Sequence, residues 1–509
     1  MEAFRSCLRH SRKLALVSQA QECQYMDVVS QALRVRYGLI EETSTLNRDC
    51  FHPDSKHLGG CAEQPRVAIM ASRGTNFVSG MFASWMIKGI AMPLCPSHPD
   101  HEIEYLLRDS DPSVILCDDA HAERMKHVGA TLSIPVHPVL SGRADSLSAD
   151  TLLEQSIQGI QEVDEQDGAL MLYTSGTTGR PKGVVHTHGS LSAQMHSIAK
   201  AWEMRPSDRV LHCLPLHHVH GVVNALLTPL FVGGTVEMLQ KFSVTDVLQT
   251  LERGGVSIFM GVPTMYSFLA KGMDESYNVK NLQRLRAWIC GSAACPLPLL
   301  QTWKHMVGSY PLERYGMTET GMILGNPLQE DLRKPGTVGL PFPGMEVDLR
   351  NDGELFCRGR QLFRGYWGLP EVTLTSFDHD GWFCTGDTAE EDGDGYISLL
   401  GRTSSDIIKS GGYKISALHV ESALLEHPSV DEACVFGVQD ADYGEKIVAV
   451  LCGLPDSLTD SDLLTWCGGR LAPYQVPTRF LRLDHLPRNA MGKVNKRALK
   501  EKLMHDISQ

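Results

Sequence analysis

The sequence predicts an α/β protein in two parts. A large amino-terminal domain of βαβ units, residues 1–400, ends in a small barrel-like β module, and a compact α+β unit follows at 401–509. Three observations carry this reading. The chain has 509 residues, more than one hydrophobic core usually supports. Short apolar strands alternate with amphipathic helices through the first two thirds, the pattern of largely parallel sheets. From about Arg333 to Leu400 the alternation gives way to short strands cut by Gly and Pro.

The elements follow in order. "MEAFRSCLRHSRKLALVSQ" reads as an amphipathic helix leading into the strand "KLALV". "EETSTLNRDCFHPDSKHLGGCAEQ" is a polar insertion. "RVAIMA", "IAMPLCP" and "SVILCDD" are strands, separated by helices in "NFVSGMFASWMIKG" and "HEIEYLLRDS". "GALMLYT", "DRVLHCLPL", "GTVEML", "VSIFMGVP" and "RAWICGS" continue the strands, with a helix at "SVTDVLQTLERG". After "GRTSSD" (Gly401 to Asp406) a new unit begins, with a helix near "SALHVESALLEH" and strands "EACVFGV" and "KIVAVLCGL".

Composition excludes some functions. The net charge of −13 argues against a nucleic-acid or membrane-surface binder, which needs a basic face. No apolar run reaches membrane-spanning length. The 14 cysteines are scattered without a CxxC pair, as expected of reduced thiols in a cytoplasmic compartment. Arg5, Arg9, Arg12 and Lys13 leave a mitochondrial address as the alternative.

"YTSGTTGRPKG" stands directly behind the strand "GALMLYT", at the strand's carboxyl end, where ligands bind in such folds. Glycines Gly176 and Gly179 let backbone N–H groups approach a ligand. Thr174, Ser175, Thr177 and Thr178 add hydroxyls, and Lys182 adds a mobile cation, a set that suits phosphate oxygens. A P-loop requires Lys-Ser/Thr opening a helix, whereas Lys182 is followed by Gly183.

This loop resembles the phosphate-binding loop of the adenylate-forming superfamily, which includes acyl-CoA synthetases. "RYGMTET", "GWFCTGD", "GRTSSDIIKSGGYKI" and "PRNAMGKVNK" follow in that family's order, so the resemblance spans nearly the whole chain. It implies an AMP-forming acid–thiol ligase that uses ATP, Mg²⁺ and CoA. In the nucleotide site it implies Gly291, Ser292, Ala293, Glu313, Arg314, Tyr315, Gly316 and Met317, with Tyr315 stacked on adenine. Thr318 and Glu319 would serve catalysis, with Glu319 holding Mg²⁺ through the phosphates. Asp387 and Arg402 would bind ribose. Ser410, Gly411, Gly412 and Tyr413 would pass the CoA arm, and Lys493 would face the carboxylate and α-phosphate. The second domain would rotate between the two half-reactions, although Ser404 stands where relatives often carry Asp or Lys at the hinge.

The acid is read from two further segments. "LPLHHVHGVVNALL" carries His217, His218 and His220. A metal there needs further ligands from elsewhere, which the sequence does not make evident. The resemblance instead places His218 beside the substrate carboxylate, with Ser292 and Met317. Arg286 opens "RAWICGS", either as a strand-edge arginine paired with an acid or as a fork for a second substrate carboxylate. Together with "RAWICGSAACPLP" and "LERYGMTETGM", the segment is similar to malonyl-CoA synthetases of plant type. That similarity favours the fork, with malonate as substrate and methylmalonate next. Small molecules are the expected partners, with no nucleic acid.

Overall fold

The computed structural model describes residues 1–19, 21–45, 58, 61, 63–139, 163–174, 180–273, 279–350, 353–440, 442–455, 457–488, 494 and 496–507. The fold is α/β, built on several sheets as expected. The strand sequence Arg66–Met70, Ile90–Pro93, Val114–Cys117 pairs in parallel, with helices Thr75–Met86 and Asp100–Ser110 as crossovers. These strands belong to a seven-stranded sheet among the described residues. A nine-stranded sheet carries Arg209–His212, Thr235–Met238, Ile258–Gly261, Ala287–Cys290 and Leu312–Met317 in parallel. Most of their residues are buried, because both faces of the sheet are covered.

The two large sheets share one core. Leu16 and Val236 of the nine-stranded sheet cluster with Val67 and Leu170 of the seven-stranded one, around Val28, Leu33, Phe77 and Phe82 from the helices between them. The helix Glu2–Arg9 buries Ala3, Phe4 and Cys7 there, and Leu14–Ser18 joins the nine-stranded sheet beside Thr235–Met238.

Several pairings in these sheets are antiparallel, among them two that bracket short connections. Gly168–Thr174 runs antiparallel to Lys182–Thr187, with Thr174 opposite Lys182. Leu312–Met317 runs antiparallel to Gly321–Gly325. The connecting segments, 175–181 and 318–320, are too short for the dozen or more residues that a parallel crossover needs. Both short connections are motifs singled out from the sequence.

The Gly- and Pro-rich stretch forms a four-stranded antiparallel sheet that includes Met345–Arg350, Glu354–Gly359, Phe383–Glu391 and Ile397–Arg402. That sheet ends at Arg402, and the next begins at Ile407. The later sheet packs Ile408, Ile415, Val435, Ala449 and Leu451 against helices Ala417–Leu425 and Asp460–Gly468. A half-buried ion cluster closes this unit. Lys496 Nζ lies 2.7 Å from Asp406 and 2.8 Å from Glu421 and donates to the carbonyl of Val435 at 3.1 Å, tying the terminal helix to the start of the unit. None of the described helices is long and apolar enough to cross a membrane.

Candidate active site

Three groups of expected residues assemble along the strand Leu312–Met317 and the turn behind it. The first surrounds Glu319. The short strand Gly365–Tyr366 pairs with Lys182–Thr187, which sets the Tyr366 ring 4.4 Å from Lys182 Nζ. Tyr366 Oη donates to Glu319 Oε1 at 2.9 Å, and Glu319 is buried. Lys182 therefore faces the same ring that donates to Glu319, the acid expected to hold magnesium. Such a buried carboxylate beside a cation suits Mg²⁺ that also binds phosphate oxygens. The turn is fixed from behind. His186 Nε2 donates to the carbonyl of Thr318 at 2.6 Å, and burial lowers His186 to about 4, so the ring stays neutral in this tautomer. The Met317 amide donates to Thr320 Oγ1 at 3.1 Å.

The second group surrounds Arg314. Its guanidinium passes so close to Gly291 that a Cβ there would stand 2.6 Å from Nε. Glycine at 291 is therefore a requirement of the arginine's position. Arg314 Nη2 donates to Ser292 Oγ at 3.4 Å, and Ser292, at φ +70°, lies 3.3 Å from His220 Nδ1. Burial lowers Arg314 to about 10, which still leaves it charged at neutral pH. Burial first, and the Arg314 charge second, hold His220 well below the usual histidine range. Arg314 Nε, His220 Nε2 and both side-chain polar atoms of Asn224 are buried without a hydrogen-bond partner in the described structure. A buried guanidinium with such a deficit fits an anionic ligand. His220 and Asn224 stand on a π-helix, His220–Leu227, a local irregularity frequent at functional sites. His218 lies just before it, its ring 4.1 Å from that of His217.

The third group surrounds Asp387. Its carboxylate accepts from Tyr315 Oη, and Arg402 Nε stands 3.1 Å from its other oxygen. Arg402 Nη1 also donates to the carbonyl of Thr385 at 2.6 Å. Asp387 and Arg402 are opposite one another in the antiparallel pair, so register alone brings them together.

Two expected residues are placed otherwise. Arg286 does not reach the site. Its Nε and Nη2 bind both oxygens of Asp208, at 2.7 and 2.5 Å, and Nη1 donates to the carbonyl of Trp202 at 2.8 Å. It stands before the amino end of Ala287–Cys290, whereas Gly291, Ser292 and the exposed Ala293 leave the carboxyl end. Asp208 is buried and also accepts from Arg205 N and Ser257 Oγ, so the fork has a complete structural partner. The expectation that Arg286 grips substrate is thereby corrected. Arg286→Ala is expected to strand a buried carboxylate and to cost about 3–5 kcal/mol of stability. Denaturant unfolding measures this loss, and activity toward different acids should fall in equal proportion.

The Glu313 side chain accepts from Gly336 N at 2.8 Å and so braces the 334–336 turn instead of facing the nucleotide motif. Burial raises it to about 8 from 4.5. The unfolded chain deprotonates first as pH rises, so this group destabilises the fold progressively between about pH 4.5 and 8. Glu313→Gln is expected to raise the melting temperature at pH 8 and to leave it nearly unchanged at pH 4. A gain independent of pH would contradict the assignment.

Ser410 and Tyr413 flank a hairpin turn at Gly411 and Gly412, whose φ values of +56° and +83° are those a two-residue hairpin demands. The exposed Tyr413 ring stacks on Tyr474 at 4.1 Å. Ser175, Gly176, Thr177, Thr178, Gly179 and Lys493 lie outside the described residues. Sequence reasoning missed Tyr366, Asn224 and Asp208. Only the buried-strand position of Arg286 signalled that an acid partner was needed.

A family model described as AMP-binding enzyme matches residues 56–367, and one described as AMP-binding enzyme C-terminal domain matches 419–493. A probable CoA ligase of Humulus lupulus is 44% identical, over 88% of this chain and 80% of its own length. A malonate–CoA ligase of Arabidopsis thaliana is 39% identical, over 99% of this chain and 87% of its own. The ATP-bound crystal structure of MatB from Rhodopseudomonas palustris superposes with a TM-score of 0.85 at 29% identity, over 100% of this chain and 99% of that one. With matches to both family models along most of its length, the chain belongs to the AMP-binding enzyme family.

Proposed function

We propose that the chain ligates malonate to coenzyme A through malonyl-AMP. The observation that carries the choice of acid is the buried Arg314 guanidinium, its Nε unpartnered, between Gly291 and Ser292. Malonate has two carboxylates. One must attack phosphorus, and the other needs a cation inside the pocket, because an uncompensated buried carboxylate costs several kcal/mol. Arg314 supplies that cation where Arg286 cannot. The similarity to the Arabidopsis malonate–CoA ligase supports the same acid.

The first half-reaction joins a malonate oxygen to the α-phosphorus of ATP and breaks the bond to pyrophosphate. Lys182, held at the Tyr366 ring, draws in phosphate oxygens. Glu319 would hold Mg²⁺, which supplies charge neutralisation on the phosphates. Asp387 accepts from the ribose hydroxyls and Arg402 adds a donor, and Lys493 neutralises charge developing between carboxylate and α-phosphate. In the second half-reaction the CoA sulfur attacks the acyl carbon and AMP leaves with the bonding electrons. The unit 401–509 rotates between the two, withdrawing Lys493 and presenting the Ser410–Tyr413 turn to the pantetheine arm. All thirteen described cysteines are free thiols, which fits the cytoplasm or another reducing compartment.

A panel of malonate, methylmalonate, succinate, butyrate and benzoate tests the reading by kcat/KM for pyrophosphate release with CoA present. Malonate is expected to lead. Butyrate or benzoate in its place would sink the assignment of the acid while leaving the reaction type intact. Asp387→Ala is expected to raise the KM for ATP more than the KM for malonate. A defect confined to malonate would contradict the ribose role.

A further inference from the structure

We propose that Cys95, His98 and His217 form a binding site for a divalent ion of the zinc class, separate from the Mg²⁺ expected to accompany ATP. The three side chains come from two loops. Cys95 and His98 follow the strand Ile90–Pro93 of the seven-stranded sheet, and His217 follows Arg209–His212 of the nine-stranded one. Each residue offers one ligand atom, and these atoms all lie within 4.8 Å of one another. Cys95 is buried and the two histidines are half-buried, so the donors are sheltered yet reachable. One thiolate with two imidazoles is a zinc donor set, leaving the fourth tetrahedral position open to water.

The surroundings favour occupancy. Ser97 Oγ lies 3.0 Å from Cys95 Sγ. Glu102 Oε2 lies 3.6 Å from His98 Nδ1, beyond hydrogen-bond reach, and places a negative charge beside a ligand histidine. The rings of His98 and His217 are 5.7 Å apart, edge to face, and ligation asks only for a small contraction. A bound ion would clamp the two loops together and thereby hold the His217–His220 segment that borders Ser292. Among the described residues the other comparable cluster, Asp378 with His379 and Asp380, is a surface turn whose Asp378 already binds Arg350 at 2.6 Å.

The test uses the full chain and the metals alone. Protein incubated with Zn²⁺ and desalted is expected to retain one equivalent by elemental analysis. Cys95→Ser and His217→Asn should each retain at least tenfold less. Cys23→Ser, which alters a half-buried cysteine outside the cluster, should retain it fully. With Co²⁺ in place of Zn²⁺, the wild type should show thiolate-to-cobalt charge-transfer absorption that Cys95→Ser lacks. If Cys95→Ser does not fold, His217→Asn and the cobalt spectrum of the wild type decide. Zinc retention in the wild type no greater than in His217→Asn, or bound cobalt without the thiolate band, overturns the proposal. None of these readouts depends on ligase activity.

Discussion

Lys493→Ala is expected to abolish formation of malonyl-AMP while sparing the transfer of a synthetic malonyl-AMP to CoA. The proposed cycle uses Lys493 in one half-reaction only. Charge grows on the α-phosphate oxygens as the carboxylate attacks, and a donor aimed at that charge stabilises the transition state more than the ground state. Removing one such donor typically costs about 2.7–4 kcal/mol, or roughly 10²–10³ in rate. Lys493→Arg should restore little, because the longer, forked cation cannot occupy the place of a point charge. Pyrophosphate release measures the first step, and thioester formation from added malonyl-AMP measures the second. Equal losses in both would mean that the unit 401–509 does not alternate between two poses.

The second large effect concerns Arg314. Arg314→Ala is expected to lower kcat/KM for malonate by roughly 10²–10⁴, since stranding a buried carboxylate costs about 3–5 kcal/mol. Butyrate brings no second charge and should lose far less. Arg314→Lys should rescue poorly, since an ammonium cannot reproduce the fork that reaches Ser292 Oγ and still offers Nε. The comparison separates binding from scaffolding. The Ala change also empties the space that Gly291 leaves for the guanidinium, and damage of that kind would depress both acids alike.

Much of the fold was legible in the sequence because apolar runs and their punctuation are local. The strand at Ala287–Cys290 and the helix at Val244–Arg253 could be read from a few neighbouring residues each. The antiparallel pairs at 168–187 and 312–325 were not anticipated, since pairing direction depends on the length of the connection and not on the strand's own composition. Motif order located Glu319, Asp387 and Arg402. What it could not reveal was who faces whom. Arg286 and Arg314 are both charged residues in or beside buried strands of the same sheet. One is consumed by Asp208, 78 positions away, and the other is left with an open Nε. Glu313, next to Arg314, turns to Gly336 for the same kind of reason. Partners this distant are set by tertiary packing, and one sequence does not encode them visibly. The triad of Cys95, His98 and His217 joins loops more than a hundred residues apart, so the histidine run alone pointed to no further ligand.

The proposed reaction is stepwise, with malonate activated at a single site before CoA enters. A rapid-quench experiment with excess enzyme, malonate, ATP and Mg²⁺, first without CoA and then with it, tests that directly. One equivalent each of pyrophosphate and enzyme-bound malonyl-AMP is expected before CoA is added, followed by equal amounts of malonyl-CoA and AMP afterwards. Formation of ADP and phosphate, absence of pyrophosphate until CoA arrives, or a burst with butyrate and none with malonate would contradict it.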